Sequence, residues 1–517
     1  MNIVNGIAAF NIKEYVMNSR TILALCIIKI TCFTMTGYAA APNPDIGKFE
    51  PATCPVDFPE GNDLGNRFEF GYITVPEQHN KPGGPVIQLA VARFKSFSDN
   101  PAPDPLVLNT GGPGDSNMDQ FIPMVAGPMG QALLAQRDVV IIELRGLRYS
   151  KPALICDEVF DAQLSMIDKN LKGKEANQIL LTAMRASYDR FQKEGINLSA
   201  YNNAETAADI AMIMTTLGYD KFNIFGSSAG TMVAQHVMRD YPQRVRSVVL
   251  NAAVPLGQPF FRNMMSNASE SLERMFKQCE ADEACNAAYP DMEEKFLAYL
   301  EQLNKEPVTI RIKHPDSGEE VNFVLNGDRL STWIFASMYF NTQMPYTLSK
   351  FMAGDYSELQ NSANIFFPMY NFSYGLSYSI FSSESLDFTV EDIKVCGRYS
   401  AFADGMSMFF CPSLLAQAQE FWKVKPLDLS LLKPLKSDIP TLIFNGEMDH
   451  VLPTAYIKEM ASNLRNGYMY LFPGVAHSPI DAGSCAFMMT MEFLADPTKA
   501  LDSACMERFK HEFLTKK

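Results

Sequence analysis

Ser228 lies in the run NIFGSSAGTM at 223–232, at the centre of Gly226-Ser227-Ser228-Ala229-Gly230. A serine hydroxyl is a weak nucleophile at its own pKa. It needs a base within hydrogen-bond reach and an acid that orients the base. Where a serine is presented on a G-x-S-x-G turn between a strand and a helix, the acid and then the histidine follow it along the chain. The sequence has six histidines, at 79, 236, 314, 450, 477 and 511. His79 precedes the serine, and His236 falls in the helix expected just after it. His314 lies in a later segment of different pattern, and His511 is near the C-terminus. His450 adjoins the best acid and is poorly placed to be offered by a separate loop. His477, in FPGVAHSPI, therefore remains as the base. Asp449, in FNGEMDHVLP, lies 28 residues before it (477 − 449) and is the orienting acid. Glu447 is a second candidate acid on the same loop. Ser227 is out of phase with the motif and reads as structural.

Acyl transfer also needs two N–H donors for the oxyanion. Ala229, the residue after the nucleophile, supplies one. The other is expected from a loop after an earlier strand, and LNTGGPG at 108–114 fits. Gly111, Gly112 and Gly114 let the backbone approach a substrate without a Cβ in the way, and Gly112 is assigned as the donor. Each of these short patterns arises by chance in many chains. All of them in the required order point to a Ser-His-Asp hydrolase.

The flanking elements agree. PLVLN and RDVVIIELRG are continuous apolar, β-branched runs that suit a sheet covered on both faces. RFEFGYITVPE and VIQLAVARF are earlier strand-like runs, separated by the turn cluster HNKPGGP. Residues 204–217 carry apolar side chains at helical spacing. YDKFNIFGSSAG then reads as strand and turn, TMVAQHVMRDY as a helix stopped by Pro242, and RSVVLNAAVP as the next strand. From about 257 to 435 the chain is rich in Met and aromatic residues and mainly helical in pattern. Buried-strand patterns resume in IPTLIFNG and GYMYLF. Asp449 follows Ser228 by 221 positions (449 − 228), far more than two or three βα units require, so the excess is an inserted domain.

The chain has 517 residues and a formal net charge of −14. That balance argues against a nucleic-acid surface, which needs clustered Lys and Arg. After residue 40 no stretch of about 20 apolar residues occurs, so no membrane span is expected in the body. Residues 1–40 read as a secretory signal, with Arg20, an apolar run from Ile22 to Ile28 and small residues at Ala39 to Ala41. Met17 is a second candidate start. With that segment removed, a secreted or periplasmic protein with no stable membrane anchor is expected. Of ten cysteines, Cys26 and Cys32 fall in the signal and eight remain. Eight cysteines allow 105 connectivities. Locality favours Cys279–Cys285, Cys396–Cys411 and Cys485–Cys505, which leaves Cys54–Cys156; the alternative is a set of buried thiols. No CxxC pair occurs, so no metal is expected, and no cofactor pattern is present. The oligomeric state is not legible.

With these residues in hand, the chain resembles the secreted tripeptidyl aminopeptidase and prolyl iminopeptidase branch of the α/β-hydrolases. The likeness rests on GGPG, on the long stretch AADIAMIMTTLGYDKFNIFGSSAGTMVAQHVMRDYPQRVRSVVLNAAVP, on CEADEACNAAYPD, and on IPTLIFNGEMDHVLP with GVAHSPI and SCAF. The resemblance implies an α/β-hydrolase fold: a mostly parallel central sheet with helices on both faces and a large helical cap. The expected divisions are signal 1–40, core 41–256, cap 257–435 and returning core 436–517, the last similar to the C-terminal region of tripeptidyl aminopeptidases. It also implies release of short peptides or single residues, proline among them, from free N-termini. The chain departs from the family pattern in having Thr110 before GGPG where prolyl iminopeptidases have His. It has ELRGLRYS where D-Q-R-G-x-G-x-S is usual, with Glu143 for Asp and Arg148 for Gly; Arg145 is retained and is expected to brace loops. A cap carboxylate should meet the substrate ammonium, since a buried unpaired charge is costly; Glu270 and Glu273 are weak candidates. An esterase or amidase on small acyl substrates is the first alternative, and a binding protein on a hydrolase scaffold the second.

Overall fold

The apolar runs become a single nine-stranded sheet in the computed structural model, which describes residues 46–515 apart from 59–63, 82, 316, 386 and 407–410. The signal-like segment 1–40, with Met17, Cys26 and Cys32, lies outside the described residues. In chain order the strands are β1 (Phe49–Pro51), β2 (Phe68–Pro76), β3 (Val86–Phe94), β4 (Ala102–Asn109), β5 (Arg137–Ile142), β6 (Phe222–Ser227), β7 (Val245–Asn251), β8 (Val308–Lys313), β9 (Glu320–Leu325), β10 (Thr441–Gly446) and β11 (Gly467–Phe472). The sheet runs β1-β2-β3-β5-β4-β6-β7-β10-β11. β1, β2, β3 and β5 pair antiparallel; from β5 across to β11 every pairing is parallel.

Both faces of this sheet are buried, which is why its central strands show no polar alternation. Leu106, Leu108, Val139, Ile141, Val249, Leu442 and Phe444 face one core cluster. Their neighbours Val107, Val140, Ile142, Val248, Leu250 and Ile443 face the other. The first face is covered by helices Asn117–Ala126 and Ser484–Ala495, and the second by Asn203–Thr216 and Gly230–Asp240. Helix Asn203–Thr216 begins where the Asn202 side chain accepts the Glu205 amide at 2.9 Å. Helix Gly230–Asp240 stops two residues before Pro242, which has no amide to continue the ladder.

Between β7 and β10 the described chain adds no strand to this sheet. It builds a cap from helices that include Met264–Ala281, Met292–Lys305, Gly327–Ser337 and Tyr374–Glu384. The cap also holds an antiparallel hairpin, β8 with β9, where alternating side chains leave one face in water. A second excursion, between β5 and β6, packs against it: Lys172 Nζ donates to Asn304 O at 2.9 Å, the Gly173 amide to Asp328 Oδ2 at 2.7 Å and Arg329 Nη1 to Ile167 O at 2.6 Å. The roof over the sheet therefore draws on two separate stretches of sequence. Among the described residues no helix is long and apolar enough to cross a membrane.

Two of the four expected disulfides form, Cys279–Cys285 and Cys485–Cys505. The other two pairings are corrected. Cys54 packs with the cluster on one face of the sheet and Cys156 is buried in the cluster on the opposite face, so the sheet itself separates them. Cys396 is exposed, whereas the Cys411 thiol is buried against Ser413 Oγ at 3.1 Å and Met406 O at 3.4 Å, and the two are not joined.

Candidate active site

β6 ends at Ser227, and the chain turns at once into helix Gly230–Asp240. Ser228 occupies the turn with φ of 50°, in the left-handed region that costs a non-glycine residue about 1–2 kcal/mol. The strain is held by packing on both sides. A Cβ on Gly226 would lie 2.7 Å from Gly230 O, and one on Gly230 would lie 2.2 Å from Thr110 O. Only glycine lets the turn seat against the end of β4. The Ser228 amide donates to Asn251 O at 2.9 Å, and Ser228 O accepts from the Thr231 amide at 2.9 Å.

The acid and base arrive from neighbouring strands. Asp449 follows β10, and His477 follows β11. Asp449 is 2% and His477 6% exposed. Asp449 Oδ1 accepts the amides of Val451 at 2.9 Å and Leu452 at 3.0 Å, and Oδ2 lies 2.9 Å from His477 Nδ1. His477 Nε2 lies 2.9 Å from Ser228 Oγ. A carboxylate on Nδ1 holds the proton there, which leaves the Nε2 lone pair facing the hydroxyl. Gly446 sets the spacing of the two loops: a Cβ there would lie 1.7 Å from Ala476 O, and the Met448 amide donates to Val475 O at 2.9 Å.

The remaining acid and histidines stand elsewhere. Glu447 is exposed to solvent. His450 is buried between the rings of Phe335 at 4.9 Å and Tyr339 at 4.7 Å, and burial pushes its pKa down to about 3. His79 lies 2.8 Å from Asp209, and His236 is buried beside Arg239. His314 packs on Phe367 and His511 reaches Thr342 O.

The glycine loop lies over the nucleophile. A Cβ on Gly111 would lie 2.9 Å from Ser228 Cβ and 3.5 Å from its Oγ. The Thr110 amide is taken by Asn117 Oδ1 at 2.8 Å. Among the described residues neither Gly112 N–H nor Ala229 N–H has a hydrogen bond to a protein acceptor. Gly112 and Gly114 have φ of 110° and 134°, and the cap ring of Phe372 would meet a Cβ on Gly114 at 2.7 Å. The Ser373 amide donates to Gly114 O at 2.9 Å. The loop is thus clamped between the serine and the cap, with two amides unspent.

This serine, acid and histidine order, on this sheet, agrees with a family comparison. Residues 104–483 match the model of the alpha/beta hydrolase fold. The chain belongs to that family. Among curated α/β-hydrolase relatives it is 27% identical to serine protease Hip1 of Mycobacterium tuberculosis over 273 residues, 52% of this chain and 51% of that one. It is 28% identical to the tripeptidyl aminopeptidase of Streptomyces lividans over 196 residues, 37% of this chain and 36% of the other. It is 29% identical to carboxylesterase B of Mycobacterium tuberculosis over 224 residues, 42% of each. The chain spans about half or less of the length of these curated relatives.

Several residues that organise this α/β-hydrolase site carry no motif. Asn251, buried at the end of β7, gives its carbonyl to the Ser228 amide. Its Nδ2 lies 2.9 Å from Ser227 Oγ and 2.9 Å from Ser478 Oγ, and its Oδ1 accepts the Ile480 amide at 3.2 Å. From the cap, Tyr339 O accepts the His477 amide at 3.2 Å, and its ring stands 4.9 Å from the imidazole. A buried strand-end Asn was the only visible signal for the first, and the second had none.

Arg145 is fully buried and braces loops as expected. It makes a two-pronged pair with Asp209, both arms at 2.7 Å, and donates to Glu77 O and Ala200 O at 2.6 Å. Glu143 accepts the Met118 amide at 3.1 Å, and burial pushes its carboxyl up to about 7. Glu270 and Glu273 open onto a surface groove of the cap that also holds Lys394 and Arg398, and Glu273 is paired with Lys277. Of the two, Glu273 already has a cation beside it.

Proposed function

We propose that this α/β-hydrolase is a serine hydrolase of the peptidase kind, cutting short peptides near a free N-terminus. The observation that carries the reading is the unbroken chain Asp449–His477–Ser228, with the serine on a left-handed turn. Ser228 Oγ attacks the scissile carbonyl carbon and His477 Nε2 takes its proton. Asp449 stabilises the imidazolium that results. The carbonyl oxygen becomes an oxyanion held by the amides of Gly112 and Ala229. Collapse breaks the C–N bond, and the leaving amine takes the proton from Nε2. Water, deprotonated by the same nitrogen, then releases the acyl group and restores Ser228.

The similarity to a serine protease and a tripeptidyl aminopeptidase supports the peptide substrate. Similarity to a carboxylesterase favours a second reading, an esterase with the same three residues. The leader-like 1–40 and the two disulfides support export to the periplasm or medium.

The test is a rate comparison on chromogenic tripeptidyl and aminoacyl amides, each with a free and an acetylated N-terminus, beside simple acyl esters. A free amine should raise kcat/KM by about tenfold or more, which is about 1.4 kcal/mol. Equal rates on free and blocked amides, or turnover of esters alone, would favour the esterase. Ser228→Ala should remove activity by roughly 10⁴-fold or more and abolish labelling by a fluorophosphonate. A wild type that is not labelled at Ser228 would overturn both readings in favour of a binding protein.

A further inference from the structure

The loop that carries Gly112 ends in an acid with nothing to hold. Asp115 is half-buried, and burial is the one influence on its carboxyl, which it pushes up to about 6. Among the described residues no side chain or amide donates a hydrogen bond to that carboxylate, and no Lys, Arg or His pairs with it. An acid just before a helix ordinarily accepts amides of the first turn. Here two of those amides are taken: Ser116 Oγ accepts the Asp119 amide at 3.1 Å, and Glu143 accepts the Met118 amide at 3.1 Å. The position therefore carries the desolvation cost of a carboxylate without the usual return.

Its place is on the loop that packs against Ser228. The loop doubles back so that Asp115 N would lie 3.0 Å from a Cβ on Gly112. Asp115 borders a cavity of about 20 Å³, the scale of an ammonium group, together with Gly111, which packs on Ser228, and Ala229, which follows it in the chain. From the cap, the ring of Tyr339 stands 4.9 Å from that of His477. Phe372 closes over Gly114 from the same side. An unpaired carboxylate thus sits in a partly desolvated position at the end of the loop that carries Gly112. Such a setting strengthens its attraction for a cation.

We propose that Asp115 receives the primary ammonium of the substrate, so that the oxyanion loop fixes both the scissile carbonyl and the peptide's N-terminus. This rests on the aminopeptidase reading and moves the anchor from Glu270 and Glu273 in the cap to the core. The ligand class is a short peptide with an unblocked amine, and the Phe372 ring over the neighbouring Gly114 favours apolar side chains.

The experiment measures kcat/KM for Ala-Ala-Ala-p-nitroanilide and its N-acetyl form in wild type, Asp115→Asn and Asp115→Glu. The wild type should prefer the free amine by at least about tenfold. Asp115→Asn should bring that ratio close to one, with the change carried in KM for the free-amine substrate, and Asp115→Glu should restore part of it. In the Ser228→Ala background, calorimetry with Ala-Ala-Ala amide should show the Kd rising about tenfold or more on Asp115→Asn, a readout independent of turnover. A wild type that prefers the amine and an Asp115→Asn that keeps both the preference and the Kd would overturn the assignment of Asp115 alone. A wild type with no preference would overturn the aminopeptidase reading and Asp115 with it.

Discussion

Asn251 Nδ2 lies 2.9 Å from Ser478 Oγ, and so ties the strand beside the nucleophile turn to the loop that presents the base. The same nitrogen reaches Ser227 Oγ and the Asn251 carbonyl takes the Ser228 amide, so one buried side chain and its backbone register both partners of the proton transfer. Replacing Asn251 by Ala leaves Ser227, Ser228 and His477 in the chain but removes the tie between their loops. A displacement of about 1 Å at a reacting group costs about 10²-fold. Asn251→Ala should therefore lower kcat by ten- to a hundred-fold with little change in KM, read by steady-state kinetics. A wild-type kcat would show that the loops hold register without it.

Gly446 tests the spacing between acid and base loops. A methyl group there has no room against Ala476 O, and overpacking of this kind costs about 1–3 kcal/mol. Gly446→Ala should lower the melting temperature and, in the protein that remains folded, separate Asp449 from His477. The expected signature is a loss of kcat larger than the loss of folded protein measured by circular dichroism. Proportional losses would mean that the residue matters only for folding.

The pH dependence of stability has two opposing parts. His236 and His450 are held neutral by burial, with pKa values lowered to about 3, so the unfolded chain binds more protons and stability falls as pH drops from about 6.5 towards 3. Glu143 and Glu384 are raised by burial to about 7, so the folded chain binds more protons and stability rises as pH drops from about 7 to 4.5. The terms offset each other between 6.5 and 4.5; below that the two histidines outweigh what remains of the raised carboxyls, of which Asp115, up at about 6 from 3.8, is the last to finish. Denaturant midpoints should be flat over the first window and fall over the second. Glu384→Gln, which removes one offsetting group, should make the fall begin nearer pH 6.5; an unchanged profile would remove Glu384 from the account.

The Cys485–Cys505 bridge closes a 20-residue separation and fastens the last described segment to helix Ser484–Ala495. Loop-closure entropy assigns such a bridge about 3 kcal/mol. Cys505→Ser should lower stability by about that amount, measured by urea denaturation, and dithiothreitol should destabilise the wild type by at least as much. A variant as stable as the wild type would place the stability of this region in apolar packing alone.

The sheet was legible because its central strands are buried on both faces and so read as unbroken apolar runs. The nucleophile turn was legible because Gly226 must pass Gly230 O and Gly230 must pass the end of β4, and steric necessity leaves a mark in sequence. Asp449 and His477 followed from order and elimination. Asn251, Tyr339 and Phe372 were not legible, since each acts through contacts between segments far apart in the chain. The β8–β9 hairpin escaped because two six-residue strands sit within long helical stretches. The Cys54–Cys156 pairing failed because spacing along a chain says nothing about which side of a sheet a thiol occupies. Asp115 was passed over beside the glycines it follows, as its oddity is the lack of a partner, and only coordinates reveal that.

Ser228 belongs to the stretch before residue 257, and both of its hydrogen-bonding helpers belong to the stretch after 435. During synthesis Ser228 thus emerges long before the two residues that would activate it, and domains form as the chain emerges. A nascent chain, or one cleaved within the cap and stripped of its C-terminal part, carries an unassisted hydroxyl no more reactive than any surface serine. The long insertion therefore separates, along the chain, the serine from the two residues that would assist it.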